Sequence, residues 1–162
     1  MATFCPACGG LLGVQHVEGQ RRQVCTKCGR VHYRNAKACA GAIVLRGGRV
    51  LLSLRAREPE KGRWDLPGGF LEEHEHPEQA VTRELAEETG LKARSARYHG
   101  VWVGRYGEAY TLNFYYVVEA DGEPVAADDS AALQWWPLDA LPREMAWPHE
   151  VEALAKVRGE RR

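Results

Sequence analysis

GFLEEHEHPEQAVTRELAEETGL, residues 69–91, is the stretch on which the reading of this chain turns. Within it Gly69, Glu75, Arg83, Glu84, Glu87, Glu88 and Gly90 stand at fixed spacings, with bulky aliphatics at Leu85 and Leu91. At about 7% usage per residue type, seven such letters coincide by chance with odds on the order of 10⁻⁸ to 10⁻⁹ per start position. The pattern predicts a helix that opens at His76 and Pro77 and runs to Thr89. Pro77 suits a first turn, and Gly90 suits the position just past a last one. A helix turns by about 100° per residue, so Glu84, Glu87 and Glu88 fall within roughly a 100° arc. Val81 and Leu85 lie beside that arc and are expected to pack on a core. Three carboxylates on one face repel one another, and Glu87 and Glu88 sit in the last turn, where the helix dipole disfavours negative charge. Helix stability alone would put them at the other end. A hard divalent cation, Mg²⁺ or Mn²⁺, removes the conflict, and Glu84, Glu87 and Glu88 are read as its ligands. A merely solvated acidic face would explain neither the spacing nor the flanking glycines.

The segment resembles the signature box of the Nudix hydrolases. That resemblance implies an enzyme that uses Mg²⁺ to cleave the diphosphate bond of a nucleoside diphosphate joined to another group. It also implies that Arg83 and Glu75 hold the loop against the helix. A backbone carbonyl near Gly68 or Gly69 would complete the metal shell. Glu84 is taken as base, or as base and ligand, although family members differ over which glutamate of the box takes the proton. Pro67, Gly68 and Gly69 precede the box, and paired glycines let backbone come close to a metal or a phosphate. His74 stands where family members often carry glycine. The chemistry follows from charge: diphosphate oxygens repel an incoming nucleophile, so positive charge must offset them while a carboxylate takes a proton from water.

At 162 residues the chain supports one sizeable core and a small appendage. Its 22 basic and 22 acidic side chains balance, which gives no electrostatic case for a dedicated nucleic-acid or membrane binder. No apolar run approaches the length of a membrane span, and the opening residues do not read as a signal peptide, so a cytoplasmic location is expected. Cys5, Cys8, Cys25 and Cys28 form C-x2-C-x16-C-x2-C, the spacing of a four-thiolate zinc site. Gly9 and Gly29 follow the two pairs, as tight knuckle turns around a metal require. Two disulfides are the competing reading, and the absence of an export signal argues for reduced thiols. Four thiolates close a tetrahedron, so the zinc is structural, and so few apolar residues precede Val31 that the lobe should not fold without it. Cys39 is left over and reads as a buried strand cysteine.

Residues 1–35 are therefore assigned to a zinc ribbon, with short strands around Leu11, Leu12 and Val24. Residues 36–162 are assigned, by the resemblance, to a Nudix hydrolase domain. Residues 40–45 and 49–54 are strands joined across Gly47 and Gly48, a strong hairpin signal. Residues 55–63 read as a polar loop. Residues 98–104, 110–119 and 134–136 are strands, 137–141 a turn or short helix, and 149–158 an amphipathic helix. Interleaved strands and helices give an α/β class, and the resemblance makes it an α/β/α sandwich around a mixed sheet.

A ribbon followed by a hairpin, PGG and the box is similar to NADH pyrophosphatases and their shorter relatives. Two departures stand against NADH as the main substrate. The ribbon begins at Cys5 without the extra domain that precedes it in those enzymes, and their SQPWPFPxS array after the box is missing. Past the box, ADP-ribose hydrolases often carry a proline, and dinucleoside polyphosphate hydrolases a tyrosine nearby. With Tyr106 and no proline in that neighbourhood, the resemblance leans towards dinucleoside polyphosphates and leaves ADP-ribose open. Arg55 is a phosphate contact by position and by resemblance. Trp64, Phe70, Trp102 and Tyr106 are the candidates to stack a base, with Trp64 favoured because it lies beside PGG. Glu108 is read as an exposed turn residue in preference to a further metal ligand. The ribbon is expected to make the protein a homodimer. The alternative from another class is a nucleic-acid module, a processor of RNA 5′ ends or a nucleotide-ligand sensor. Arg21, Arg22, Lys27, Arg30 and Arg34 keep it open by making the ribbon locally basic.

Overall fold

The structure, a computed structural model, describes residues 3–160. The chain divides into two compact units, residues 1–35 and 36–162. In the first, β1 (Leu12–Val17), β2 (Gln20–Cys25) and β3 (Val31–His32) form an antiparallel sheet in that order. Glu18 and Gly19 both have positive φ, which gives the two-residue turn whose twist matches a hairpin. The strands are longer than the sequence signals around Leu11, Leu12 and Val24, because residues 13–23 are largely exposed and carry no apolar alternation.

In the second unit β4 (Lys37–Arg46), β5 (Arg49–Arg55), β8 (Lys92–Tyr106), β9 (Ala109–Asp121) and β10 (Ser130–Pro137) form a sheet in the order β10-β5-β4-β9-β8. Strand β4 runs parallel to β9 and antiparallel to β5, so the sheet is mixed. Gly47 and Gly48, both at positive φ, make the expected β4–β5 hairpin. Two short strands, β6 (Trp64–Asp65) and β7 (Gly68–Phe70), were not legible as strands; β6 pairs with β5 and β7 with β4. Strand β8 begins at Lys92, well before residue 98. It lies at the sheet edge, where Arg94, Ser95 and Arg97 face outward and blur the apolar pattern. Strand β10 likewise starts at Ser130, four residues before the expected Gln134.

Side chains on successive strand positions point to opposite faces, and this sheet is covered on both. Ala40, Ala42 and Val44 of β4 and Leu51 of β5 pack with Ala80, Val81 and Leu85 of α1 (Pro77–Thr89). Ile43, Val50 and Leu52 face the other way and pack with Ala153, Leu154 and Val157 of α2 (Pro148–Glu160). This is the α/β/α sandwich. Val81, Leu85 and Leu91 are fully buried, each contributing about 1.5–3 kcal/mol of hydrophobic free energy.

The box helix has the ends its sequence predicts. His76 is the N-cap, its Nδ1 accepting from the Glu78 N–H at 3.3 Å while the Gln79 side chain accepts from the His76 N–H at 3.0 Å. Gly90, at φ 67°, closes the other end and donates to the Ala86 carbonyl at 2.9 Å. The turn before the helix holds His74 at φ 68°, the left-handed region where glycine is at ease. His tolerates that region better than a β-branched residue does. His74→Val is therefore expected to lower stability by about 1 kcal/mol in urea unfolding while His74→Gly does not. Equal midpoints for the two variants would remove the strain from this turn.

Candidate active site

Arg83 is the hub of the box. Its Nε and Nη2 donate to the two carboxylate oxygens of Glu75 at 2.8 and 2.9 Å, a bidentate fork. Nη1 reaches Glu84 at 2.8 Å and Glu87 at 3.0 Å, and Nη2 also donates to the Phe70 carbonyl at 3.2 Å. The fork on Glu75, joined by the Glu72 N–H, holds that carboxyl down at about 2. The loop of residues 70–75 is thereby tied to α1, the role the resemblance implied for Arg83 and Glu75.

Glu88 has no such partner. It is 8% exposed, and burial, reinforced by the nearby carboxylates of Asp65 and Glu84, pushes its carboxyl up to about 9 against a hydrogen bond from the Gly68 backbone. Burial likewise raises Glu84 against the pull of Arg83. Glu84, Glu87, Glu88, Asp65 and Asp129 line one cleft, and its cations, Arg83 and Arg55, are committed to carboxylates of their own. Such a donor set fits a hard divalent cation, which would relieve the repulsion between carboxylates. Gly69 belongs to the same cradle: a Cβ there would run into the Glu84 carboxylate, and one at Gly68 into the Ala40 carbonyl. Strand pairing of Gly68 and Gly69 with Gly41 and Ala40 holds this backbone against the sheet.

The cleft continues past β7 into a half lined by aromatic rings. Tyr106 meets Phe70 edge-on at 5.2 Å and Trp147 at 5.7 Å, and Trp147 lies 28° from the plane of His149. Arg55 stands between the halves. Its Nη1 donates to Asp65 at 2.6 Å, its Nε to the Pro59 carbonyl at 2.8 Å, and its guanidinium lies 5.3 Å from the Trp147 ring. Burial pushes Asp65 up to about 6 despite Arg55, and the Trp147 side chain hydrogen-bonds to the same carboxyl. Glu150, 3% exposed, accepts from the Leu66 N–H at 3.1 Å; burial raises its carboxyl well above the usual range.

Trp64 requires a correction. Its ring faces the α2-side core and meets Trp136 edge-on at 5.6 Å, so it offers no platform in the cleft. Neighbours on a strand point to opposite faces, and here Asp65 takes the cleft side. The ring that does reach the cleft is Trp147, which the sequence reading missed. Segment 144–146 runs along β6, with the Trp64 N–H donating to Glu144 and the Ala146 N–H donating to Trp64, and this delivers Trp147. The signal available was the run Trp147, Pro148, His149, Glu150, a helix start carrying aromatic and titratable side chains. Trp102 also packs in the core, over His99. Glu108 lies exposed in the β8–β9 turn. Cys39 is half-buried in β4, and burial pushes its thiol up to about 12, with Glu84 adding to the effect.

In the N-terminal unit the four Sγ atoms of Cys5, Cys8, Cys25 and Cys28 lie within 4.8 Å of one another. Cys5 to Cys28 is 3.9 Å and Cys8 to Cys25 is 3.5 Å, far from disulfide length and near the edge of about 3.8 Å of a tetrahedron of zinc–thiolate bonds. The N–H groups of Lys27 and Cys28 each lie 3.4 Å from the Cys25 Sγ, and Gly9 and Gly29 take φ 68° and 70° in the matching knuckles. The thiols fit zinc.

Residues 36–157 match the NUDIX domain family, and residues 3–34 match its companion, Nudix N-terminal. This chain belongs to the Nudix hydrolase family. Among its Nudix relatives, an ADP-ribose pyrophosphatase of Methanocaldococcus jannaschii is 32% identical over 121 residues, 73% of this chain and 71% of that protein. The NAD-capped RNA hydrolase NudC of Pseudomonas aeruginosa is 34% identical over 142 residues, 86% of this chain but 49% of that protein. The chain thus spans about half the length of that Nudix relative. A solved NUDIX hydrolase from Nitrosomonas europaea superposes with a TM-score of 0.85 at 27% identity, covering 99% of this chain and 92% of that one.

Proposed function

We propose that this Nudix chain hydrolyses the diphosphate of a nucleoside diphosphate joined to a ribosyl group, as in ADP-ribose or an NAD-type dinucleotide. One observation carries the proposal: a carboxylate half and an aromatic half of a single cleft meet over Gly68–Phe70. Relatives that act on ADP-ribose and on NAD-capped RNA favour these substrates over the dinucleoside polyphosphates towards which Tyr106 leans. Mg²⁺ held by Glu84, Glu87, Glu88 and the Gly69 carbonyl would supply charge neutralisation and an acidified water. Glu84 or Glu88, both on the carboxylate side of the cleft, takes the proton of the attacking water. Arg83 keeps the loop and helix in register, and Arg55 steadies a phosphate while still tied to Asp65. Phe70, Tyr106 and Trp147 enclose the base or ribose.

The test is nucleotide release with Mg²⁺ from a panel of ADP-ribose, NAD⁺, NADH, dinucleoside tetraphosphate and nucleoside triphosphates. Turnover highest on the ribosyl diphosphates supports the reading; turnover confined to triphosphates overturns it. On the best substrate, Trp147→Ala is expected to raise KM about tenfold or more with a smaller change in kcat. An unchanged KM would move the base elsewhere.

Zn²⁺ in the ribbon, reduced thiols and a cytoplasmic location belong to the same reading; among the described residues no helix is long and apolar enough to cross a membrane. A homodimer held through the ribbon is the expected assembly. Sedimentation at about twice the mass of the 18.1 kDa chain checks it, and a monomer at micromolar concentration removes it.

A further inference from the structure

The catalytic reading leaves one charged surface without a task. Residues 1–35 carry five basic side chains, Arg21, Arg22, Lys27, Arg30 and Arg34, against a single acid, Glu18. The overall neutrality of the chain therefore hides a lobe of net charge +4 and a remainder of −4. In the second unit, six of the eleven described arginines are held in ion pairs, Arg55, Arg57 and Arg83 among them. Among the described residues, none of the five cations of the lobe has a carboxylate within ion-pair distance. With no carboxylate to offset it, such a group adds self-repulsion to a lobe with little core.

These side chains are not scattered. Arg21, Arg22, Arg34, His32, Gln23 and Val14 line one groove, formed where β2 pairs with β3 and β1 lies beside it. No acidic residue lines it. Two nitrogens in it, Arg22 Nε and His32 Nε2, are shielded from solvent with no hydrogen-bond partner. A shielded donor with no acceptor is costly, and an anionic oxygen entering the groove would satisfy it. Beside the groove Tyr33 is 53% exposed, and the Arg22 guanidinium lies 5.0 Å from the centre of its ring. Guanidinium and phenol stand together beside a groove that Arg21 and Arg34 also line.

We propose that this groove binds single-stranded RNA, with Arg21, Arg22 and Arg34 on successive phosphates and a base stacked on Tyr33 or on the Arg22 plane. The combination decides the class of ligand. Free phosphate or an acidic peptide would use the cations but not the exposed ring, and an acidic membrane surface needs a flat face, not a groove with shielded donors. Duplex RNA hides its bases in the stack, whereas unpaired bases stack on aromatic rings and on arginine. The relatives named as hydrolases of NAD-capped RNA make RNA the nucleic acid to test. This inference rests on the hydrolytic reading only for its biological sense, an RNA whose 5′ end carries a diphosphate.

The experiment is fluorescence anisotropy of a labelled twelve-nucleotide single-stranded RNA with the zinc-loaded full chain at a series of salt concentrations. A duplex of the same length serves as comparison. Each arginine–phosphate contact contributes about −0.7 to the slope of log affinity against log salt, so three give a slope near −2. Arg34→Ala, on an exposed position, should shift that slope by about +0.7. Tyr33→Ala should weaken binding by roughly tenfold with the slope unchanged. Zinc content of one per chain in both variants shows that the lobe is folded, and ADP-ribose hydrolysis should be unaffected in both. Absence of binding at low salt, tighter binding of the duplex, or affinities untouched by Arg34→Ala and Tyr33→Ala would each overturn the proposal. Failure of the hydrolytic reading would be seen separately, as silence towards every small diphosphate while the RNA arm still reports its own result.

Discussion

Glu84→Gln and Glu88→Gln are each expected to lower kcat by roughly 10²–10⁴-fold while the protein stays folded. Glutamine keeps the shape of the side chain and removes both its charge and its ability to take a proton. At Glu88 the fold should tolerate this well, because burial and the neighbouring Asp65 and Glu84 already disfavour the charged form, and the Gly68 backbone has an oxygen to bond in either case. At Glu84 the Arg83 Nη1 loses one charged acceptor but keeps Glu87, and Glu75 still holds the other face of the guanidinium. Glu87 is half exposed, so Glu87→Gln should cost less than either. Kinetics on the best substrate of the panel, paired with thermal unfolding, checks all three. Near-normal rates in both Glu84→Gln and Glu88→Gln would remove the chemistry from this face of the helix.

Stripping zinc from the N-terminal unit should melt it. Among its described residues Val24 is the one apolar side chain, apart from cysteines, that is buried, whereas Phe4, Leu11 and Val14 are all exposed. One buried valine contributes only about 1.5–3 kcal/mol of hydrophobic free energy. A structural zinc site supplies on the order of 10–16 kcal/mol of apparent binding energy in small peptides, several times what that core offers. A strong chelator, or Cys25→Ser, should therefore erase the dispersed amide resonances of β1 and β2, with one zinc released per chain. A lobe whose spectrum is unchanged after zinc has left would refute the structural role of the four thiols.

The box was legible in the sequence because its meaning is local. His76, Pro77 and Gly90 mark the helix ends, and helical periodicity puts Glu84, Glu87 and Glu88 on one side. The cysteine pairs were legible for the same reason, each being a short turn with its own glycine. The aromatic half was not, because nothing local announces it. Trp147 reaches the cleft only through pairing of segment 144–146 with β6, and Glu150 meets Leu66 across 84 residues of chain. Trp64 is near PGG in the chain, but the two-residue period of a strand turns its ring away from the cleft and brings Asp65 in. Strand β8 was underestimated at its start because an edge strand shows solvent a mixed face, and the apolar pattern fades where burial does.

The reach of Arg83 has a consequence for how such a protein can change over generations. One guanidinium binds Glu75, Glu84, Glu87 and the Phe70 carbonyl, so Arg83 is the position least free to drift. A single glutamate can change and leave the others held, but loss of the arginine strips three carboxylates and a carbonyl of their shared donor at once. Tyr106, Trp147 and His149 hang from the end of β8 and the start of α2, outside that knot. If these rings hold the substrate as proposed, that wall can be rebuilt step by step while the carboxylate face of the helix stays in place.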